Sequence, residues 1–123
     1  MPATSGPVLV VDDDAAVRNS LKFALEMEGF DVRAYANGPA LLSDKALASG
    51  GCLVVDQHMP GLTGIQLVDR LRDLSLDIPA ILITAKANDD LRLSAALSGI
   101  RQVLEKPLED GALLDGIRSA LGR

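Results

Sequence analysis

The sequence is poor in aromatic residues and in cysteine. Its 123 residues include no tryptophan and only three aromatic side chains, those of Phe23, Phe30 and Tyr35. The core must therefore be aliphatic, and a platform of rings that stacks single-stranded nucleic acid bases is not expected. The single cysteine, Cys52, excludes an internal disulfide, and its place in an apolar run indicates a small core residue in a reducing compartment.

Long apolar segments and an excess of positive charge are also missing. No segment is long enough to span a bilayer, and residues 1–6 lack the basic and apolar regions of a signal peptide. The net charge of −5 argues against binding to nucleic acid phosphates. With 48% hydrophobic residues, the sequence predicts one cytoplasmic domain over residues 7–123, preceded by a flexible tail over residues 1–6, with neither membrane nor nucleic acid as a partner.

Apolar runs typical of strands alternate five times with helical patterns. The predicted strands are 8–11, 31–35, 52–56, 80–84 and 101–104. The predicted helices run from about 14 to 28, from 37 through Leu47, from 65 to 74, from 88 or 89 onward, and from about 109 onward. This alternation predicts an α/β fold with a doubly wound parallel sheet, and five strands suit the flavodoxin-like (βα)5 order 2-1-3-4-5.

Acidic residues follow two strands that this order places side by side. Asp12 and Asp13 come after the first strand, and Asp56 ends the third. Two carboxylates 4 Å apart repel by roughly 4 kcal/mol at an effective dielectric near 20, so the cluster requires positive charge. Lys106, after the fifth strand, offers one cation, and a divalent metal ion would balance the rest. Ligands that are all oxygen favour Mg²⁺.

A hydroxyl group completes this predicted site, because Thr84 ends the fourth strand at the same edge of the sheet. A carboxylate nucleophile, a hard metal ion, an ammonium group and a hydroxyl donor together suit a transferring phosphoryl group. Each residue alone has a simpler explanation. Asp14 suits the cap of the first helix, Lys106 a surface position and Thr84 an ordinary strand end. The phosphoryl-transfer site is indicated because all of these strand ends carry a suitable residue together.

Over essentially its whole length, the sequence resembles the receiver domain of two-component response regulators. The matching motifs are Val-Asp-Asp-Asp at 11–14, Asp56 with Met-Pro-Gly at 59–61 and Gly64, Ile-Pro at 78–79 with Thr-Ala at 84–85, and Glu-Lys-Pro at 105–107. Residues 30–35 and the Glu-Lys-Pro motif are most similar to the nitrogen-fixation regulator (FixJ-like) subfamily. The resemblance implies a phosphorylation-activated signalling switch, not an enzyme, with a sensor histidine kinase or a histidine phosphotransfer protein as the donor.

The resemblance also implies a role for each matching residue. Asp56 would accept the phosphoryl group, Lys106 would pair with its oxygens, and Thr84 would hydrogen-bond one of them. The implied ligands of Mg²⁺ are Asp13 and Asp56, Asp12 largely through water, and the backbone carbonyl of His58. The peptide bond between Lys106 and Pro107 is often cis in this family.

The sequence departs from the family at the position three residues before the lysine. Family members usually have Phe or Tyr there, whereas this chain has Val103, so the switch is atypical. We expect the signal to leave through residues 85–88 and the fourth helix. Lys86 and His58 lie two residues beyond Thr84 and Asp56, and the resemblance implies that residues at these positions influence the lifetime of the phosphoryl group. Lys86 is either such a modulator or simply solvated, and His58 is expected to face solvent.

The fourth helix is predicted to have a second apolar stripe. Its members are Leu93, Ala96, Leu97 and Ile100. The stripe is either the edge of the core or a surface, formed with the fifth strand and helix, for a homodimer or a downstream protein.

Two other functions stay open at this point. The run of three acids at 12–14 after a buried strand loosely resembles the nucleophile motif of haloacid-dehalogenase-type phosphohydrolases. A pseudo-receiver that binds partners without phosphorylation is the second alternative. The sequence is compatible both with a stand-alone regulator and with a receiver domain from a longer protein.

Overall fold

A five-stranded parallel sheet forms the centre of the computed structural model, which describes residues 6–108 and 111–122. The strands are β1 Val8–Val11, β2 Val32–Tyr35, β3 Cys52–Asp56, β4 Ala80–Thr84 and β5 Gln102–Glu105. Their order is β2-β1-β3-β4-β5, which confirms the flavodoxin-like prediction. Of the predicted flexible tail, only residue 6 belongs to the described part of the chain. No helix that the structure describes has the length and apolarity needed to cross a membrane.

Five helices connect or follow these strands. They are α1 Ala15–Met27, α2 Gly38–Leu42, α3 Gly64–Asp73, α4 Asp89–Leu97 and α5 Ala112–Ala120. Each of the first four begins after a residue whose side chain accepts backbone N–H groups of the first turn, namely Asp14, Asn37, Thr63 and Asn88. Such caps satisfy donors that the helix itself leaves unpaired. Asp14 therefore has the capping role that the sequence suggested.

The second helix is shorter than predicted, because it ends at Leu42 and does not include Leu47. The side chain of Asp44 explains this difference. It accepts hydrogen bonds from the backbone N–H of Ala46 and from the Tyr35 hydroxyl, so it stabilises a turn in place of another helical turn. Leu47 still packs against the core from the loop that follows.

The ends of the chain's last two elements also differ slightly from prediction. Strand β5 begins at Gln102 and extends to Glu105, one residue later than expected at both ends. The predicted start of the last helix, near residue 109, falls outside the described residues. Helix α5 begins at Ala112, after Gly111 with a φ of 86° that favours glycine.

The sheet is covered on both faces by aliphatic side chains. In β1, Leu9 and Val11 belong to the cluster that includes residues of α3 and α4, whereas Val8 and Val10 belong to the cluster that includes residues of α1 and α5. This arrangement explains why the strands are continuous apolar runs. Cys52 lies fully buried in the second cluster, where burial raises the pKa of its thiol to about 12, as a core role requires.

The second stripe of α4 is divided between core and surface. Ile100, just after the helix, is buried, whereas Leu93 is 60% exposed and Leu97 74% exposed. The core face of α4 is formed by buried Ala95 and half-buried Leu91. The two leucines therefore give α4 an apolar outer surface that the core of the chain does not need.

Candidate functional site

Three acidic side chains meet at the carboxyl edge of the sheet. Strand β1 pairs with β3 so that Val11 lies beside Val55, which places Asp12 next to Asp56. Asp12 and Asp56 are buried, with exposed fractions of 3% and 6%, whereas Asp13 is exposed. One carboxylate oxygen from each of the three lies within 4.8 Å of the others. The structure thus brings together the acids that the sequence placed at two separate strand ends.

Asp12 is held in place by its own neighbours in the chain. Its Oδ1 accepts the backbone N–H of Asp14 at 2.9 Å, and its carbonyl oxygen accepts Nη1 of Arg18 at 2.8 Å. Burial raises the pKa of the Asp12 carboxyl above its ordinary value, and the charges of Asp56 and Asp13 act in the same direction. The Asp14 hydrogen bond and the Lys106 ammonium act against this rise in pKa. The site therefore disfavours further negative charge unless a cation is added.

Asp56 has an oxygen atom that its surroundings do not satisfy. Its Oδ1 is buried and has no hydrogen-bond partner among the described residues. Lys106 Nζ lies 3.7 Å from this atom, close enough for an ion pair but too far for a hydrogen bond, and the peptide bond between Lys106 and Pro107 is cis. A buried carboxylate oxygen without a partner is costly. A metal ion that binds oxygen would supply the missing partner, so the residues present fit Mg²⁺.

The loop after β3 folds back tightly beneath Asp56. A Cβ atom on Gly64 would lie 2.8 Å from the Asp56 carbonyl oxygen and 2.6 Å from a methyl group of Leu82. Only glycine allows this close approach. The loop is also held by hydrogen bonds from Gln57 N–H to the Ile83 carbonyl at 2.8 Å and from Gly64 N–H to the Gln57 carbonyl at 3.3 Å. Glycine at this position therefore fixes the loop that lies beside the acids.

Thr84 lies fully buried at the end of β4, and its hydroxyl group has several partners. The Oγ1 atom lies 3.2 Å from Nε2 of the His58 ring. It also accepts the backbone N–H of Lys86 at 3.4 Å and donates to the Lys86 carbonyl at 3.3 Å. His58 is exposed, as the sequence analysis expected, but the contact of its ring with Thr84 was not predicted. The register of β3 and β4 pairs Asp56 with Ile83, which sets the residues after Asp56 beside Thr84.

The loop between β4 and α4 is also fixed from β5. The Ala87 N–H donates to Oε2 of Glu105 at 3.1 Å, a contact that the sequence analysis did not anticipate. Lys86 is exposed, and its ammonium group forms no ion pair with the residues that the structure describes. Val103 is half-buried and packs against the core cluster that includes α3 and α4. Glu105 and Lys106, adjacent in sequence, thus contact the β4–α4 loop and Asp56 respectively.

One cavity in the described part of the chain lies away from these acids. It has a volume of about 700 Å³ and is lined by residues that precede β4 and β5, among them Asp77, Pro79 and Arg101. Residues that precede parallel strands lie at the amino edge of the sheet. The acid cluster, and not this cavity, therefore has the concentration of charge that chemistry requires.

Comparisons with known proteins agree with this geometry. Residues 8–118 match the response regulator receiver domain family. The transcriptional regulatory protein FixJ of Bradyrhizobium diazoefficiens is 39% identical over 118 residues, which are 96% of this chain and 58% of that protein. FixJ of Azorhizobium caulinodans is 37% identical over 117 residues, 95% of this chain and 56% of that protein. The chain therefore spans a little over half the length of these relatives.

Solved structures give the same result for the fold. The crystal structure of FixJ-N has a TM-score of 0.86 and 35% identity, with 95% of this chain and 94% of that chain covered. The Vibrio cholerae chemotaxis protein CheY4, at 24% identity and a TM-score of 0.85, supports the fold alone. These matches favour the receiver domain over the haloacid-dehalogenase alternative. The chain belongs to the response regulator receiver domain family.

Proposed function

We propose that residues 7–123 form a phosphorylation-activated signalling switch in which Asp56 accepts the phosphoryl group. The main support is the buried Oδ1 of Asp56, which has no hydrogen-bond partner in the described chain and faces the Lys106 ammonium. The oxygen of the Asp56 carboxylate that does not bind the metal ion attacks the phosphorus of a phosphohistidine, the P–N bond breaks, and the leaving imidazole takes up a proton. The chain itself then holds an acyl phosphate and turns over no substrate, so it is a switch and not a true enzyme.

Mg²⁺ is the metal ion that we propose for the acid cluster. Side chains of Asp13 and Asp56, Asp12 largely through water, and the backbone carbonyl of His58 would hold it. When bound, the ion neutralises charge on the carboxylates and on the phosphoryl oxygens. Lys106 adds one positive charge from the end of β5, and the Thr84 hydroxyl donates to a phosphoryl oxygen after transfer. Neither group forms a covalent bond, so both act through charge and hydrogen bonding.

The partner that donates the phosphoryl group is a sensor histidine kinase or a histidine phosphotransfer protein. The FixJ relatives, whose names describe transcriptional regulatory proteins, support a signalling role of this kind. A kinase that phosphorylates its own histidine from ATP places the reaction in the cytoplasm. Exposed Asp13 gives such a partner access to the acid cluster, because it lies at the open side of the site.

We propose that the signal leaves through the β4–α4 loop and α4, in an atypical switch. Val103 has no ring that alternates between inward and outward positions, whereas residues of the loop contact both Thr84 and Glu105. Exposed Leu93 and Leu97 provide the adjoining surface, together with β5 and α5, for a homodimer or a downstream protein. Crystals with and without beryllofluoride should show that residues 85–88 move. An unmoved loop in a chain that is activated in solution would exclude this route.

Lys86 is proposed to lengthen the life of the phosphoryl group. Its exposed ammonium group extends from the residue whose backbone bonds the Thr84 hydroxyl. A cation there would shield the acyl phosphate from attack by water. We expect Lys86→Ala to shorten the half-life of the phosphorylated chain, measured by the loss of phosphoryl mass with time. An unchanged half-life would show that Lys86 is merely solvated.

The experiment that tests the proposed function maps the phosphoryl group itself. The chain is treated with acetyl phosphate and Mg²⁺, trapped by borohydride reduction and examined by peptide mass spectrometry. We expect one modified residue, Asp56, and no modification when EDTA replaces Mg²⁺. Modification of Asp12 would support phosphohydrolase chemistry instead. A chain that takes up no phosphoryl group from acetyl phosphate or from a histidine phosphotransfer protein would be a pseudo-receiver.

A further inference from the structure

We infer that the His58 ring is a positioning residue for Thr84, and that it holds the Thr84 hydroxyl group away from Asp56 until the phosphoryl group is present. This inference rests on the proposed function, since it concerns the same site. It assigns a role to the side chain of His58 that is separate from the metal-binding role proposed for its backbone carbonyl. The observation behind it is the 3.2 Å separation between Nε2 of His58 and Oγ1 of Thr84.

The one proton of the Thr84 hydroxyl already has acceptors within the chain in this state. A hydroxyl group donates one proton and accepts through two lone pairs. The Lys86 carbonyl lies 3.3 Å from Oγ1, and the Lys86 N–H occupies one lone pair at 3.4 Å. Nε2 of His58 lies closer, at 3.2 Å, and accepts the hydroxyl proton in the tautomer that carries the ring proton on Nδ1. A phosphoryl oxygen must therefore take this proton from acceptors within the chain.

Burial makes this arrangement a real competitor of phosphoryl binding. Thr84 is fully buried, so in this state its hydroxyl bonds to protein groups and not to bulk water. A phosphoryl oxygen only accepts hydrogen bonds, so the hydroxyl must turn its proton away from the Lys86 carbonyl and move away from the ring. Among the described residues, His58 is the one whose side chain hydrogen-bonds this hydroxyl. The aromatic ring that family members usually have at position 103 is absent, because this chain has valine there. The ring that contacts Thr84 is that of His58, in the loop between β3 and α3.

The first test measures the binding of beryllofluoride, a phosphoryl mimic, in the presence of Mg²⁺. His58→Phe keeps a ring and removes the nitrogen atoms, and His58→Ala removes the ring. Each is made in the unchanged chain and in Thr84→Val, which keeps the threonine shape without the hydroxyl. Binding is followed by the amide resonances. We expect both His58 variants to tighten binding about two- to tenfold where Thr84 is present, the range for one neutral hydrogen bond, and to have no effect in the Thr84→Val chain.

Two outcomes of this test would overturn the inference. Equal effects in both backgrounds would show that His58 acts by shielding the site and not through Thr84. An effect of His58→Ala without an effect of His58→Phe would assign the role to ring size and not to the hydrogen bond.

The second test does not depend on phosphorylation. The ¹⁵N resonance of Nε2 in His58 is measured in the metal-free chain before and after Thr84→Val. We expect a shift, because the hydroxyl partner is lost, and an unmoved resonance would overturn the inference. If the unchanged chain bound no beryllofluoride and took up no phosphoryl group, the proposed function would fail, while the ring resonance would still decide whether His58 holds Thr84.

Discussion

Lys106→Met is expected to slow phosphoryl transfer from acetyl phosphate to Asp56 by about 100-fold, the effect typical of losing one group that stabilises transition-state charge. In the free chain, Lys106 Nζ lies 3.7 Å from Oδ1 of Asp56. Methionine keeps the length and apolar stem of lysine but removes its charge. The phosphoryl oxygens then approach three carboxylates without the ammonium. Time courses of phosphoryl mass at fixed acetyl phosphate and Mg²⁺ measure the rate.

The matched control is Lys45→Met, in the segment between α2 and β3. Lys45 is exposed and forms no ion pair with the described residues, so this variant changes the net charge equally without touching the site. We expect its rate to stay within about twofold of the unchanged chain, as for a remote surface charge. If both variants were slowed equally, general electrostatic attraction would explain the effect. If Lys106→Met retained the full rate, Lys106 would have no part in the transfer.

The sheet and the acid cluster could be predicted because they follow from apolar runs and from the order of the strands. All residues of Val8–Val11 are apolar, and in Cys52–Asp56 only the final aspartate is not. Strands covered on both faces require such apolar runs. Parallel strands all end at one edge, so the order of strands alone sets Asp12 beside Asp56. Burial and charge balance then suggest the cation. None of these steps depends on side-chain rotamers or on the path of a loop.

The contacts that were missed depend on those details. The His58 ring contacts Thr84 from a loop that folds back at Gly64, and the Glu105 side chain contacts Ala87 in the loop after β4. A sequence pattern does not describe either path. The early end of α2 was missed for the same reason, because the Asp44 side chain accepts the Ala46 N–H and so stabilises a turn where the helix was predicted to continue. Sequence patterns thus predicted the elements and their order better than the connections between them.

The exposed leucines of α4 show a different limit. Helical spacing alone admits Leu93 and Leu97 either at the edge of the core or on the surface. In the structure both leucines lie on the surface, because Ala95 and half-buried Leu91 already form the contact of α4 with the core. In the switch that we propose, an outer apolar surface beside the β4–α4 loop would give a change at Thr84 a short route to a partner. The loop and the surface are joined, since Asn88 caps α4 through Leu91 N–H at 2.8 Å.

The second large effect is expected for Asp56→Asn, which should remove phosphoryl uptake altogether. The variant should also be more stable than the unchanged chain in EDTA and less stable than it in Mg²⁺. In EDTA, Asp56 is repelled by two acids within 4.8 Å and attracted by one ammonium. The net repulsion of about one charge costs about 1 kcal/mol at the dielectric constant of water and about 3 kcal/mol at the effective dielectric constant of a protein surface. The asparagine variant should therefore unfold at higher urea concentration than the unchanged chain when metal is absent.

Saturating Mg²⁺ should reverse this order. An ion present at about 1,000 times its dissociation constant stabilises the folded chain by about 4.1 kcal/mol, whereas the variant loses one charged ligand and gains much less. Asp69→Asn, an exposed change on α3 outside the cluster, is the matched control and should respond to Mg²⁺ as the unchanged chain does. Urea unfolding in EDTA and in Mg²⁺ measures all three chains. Equal stabilisation of Asp56→Asn and the unchanged chain would place the metal ion away from Asp56, and the charge balance proposed for the site would then be wrong.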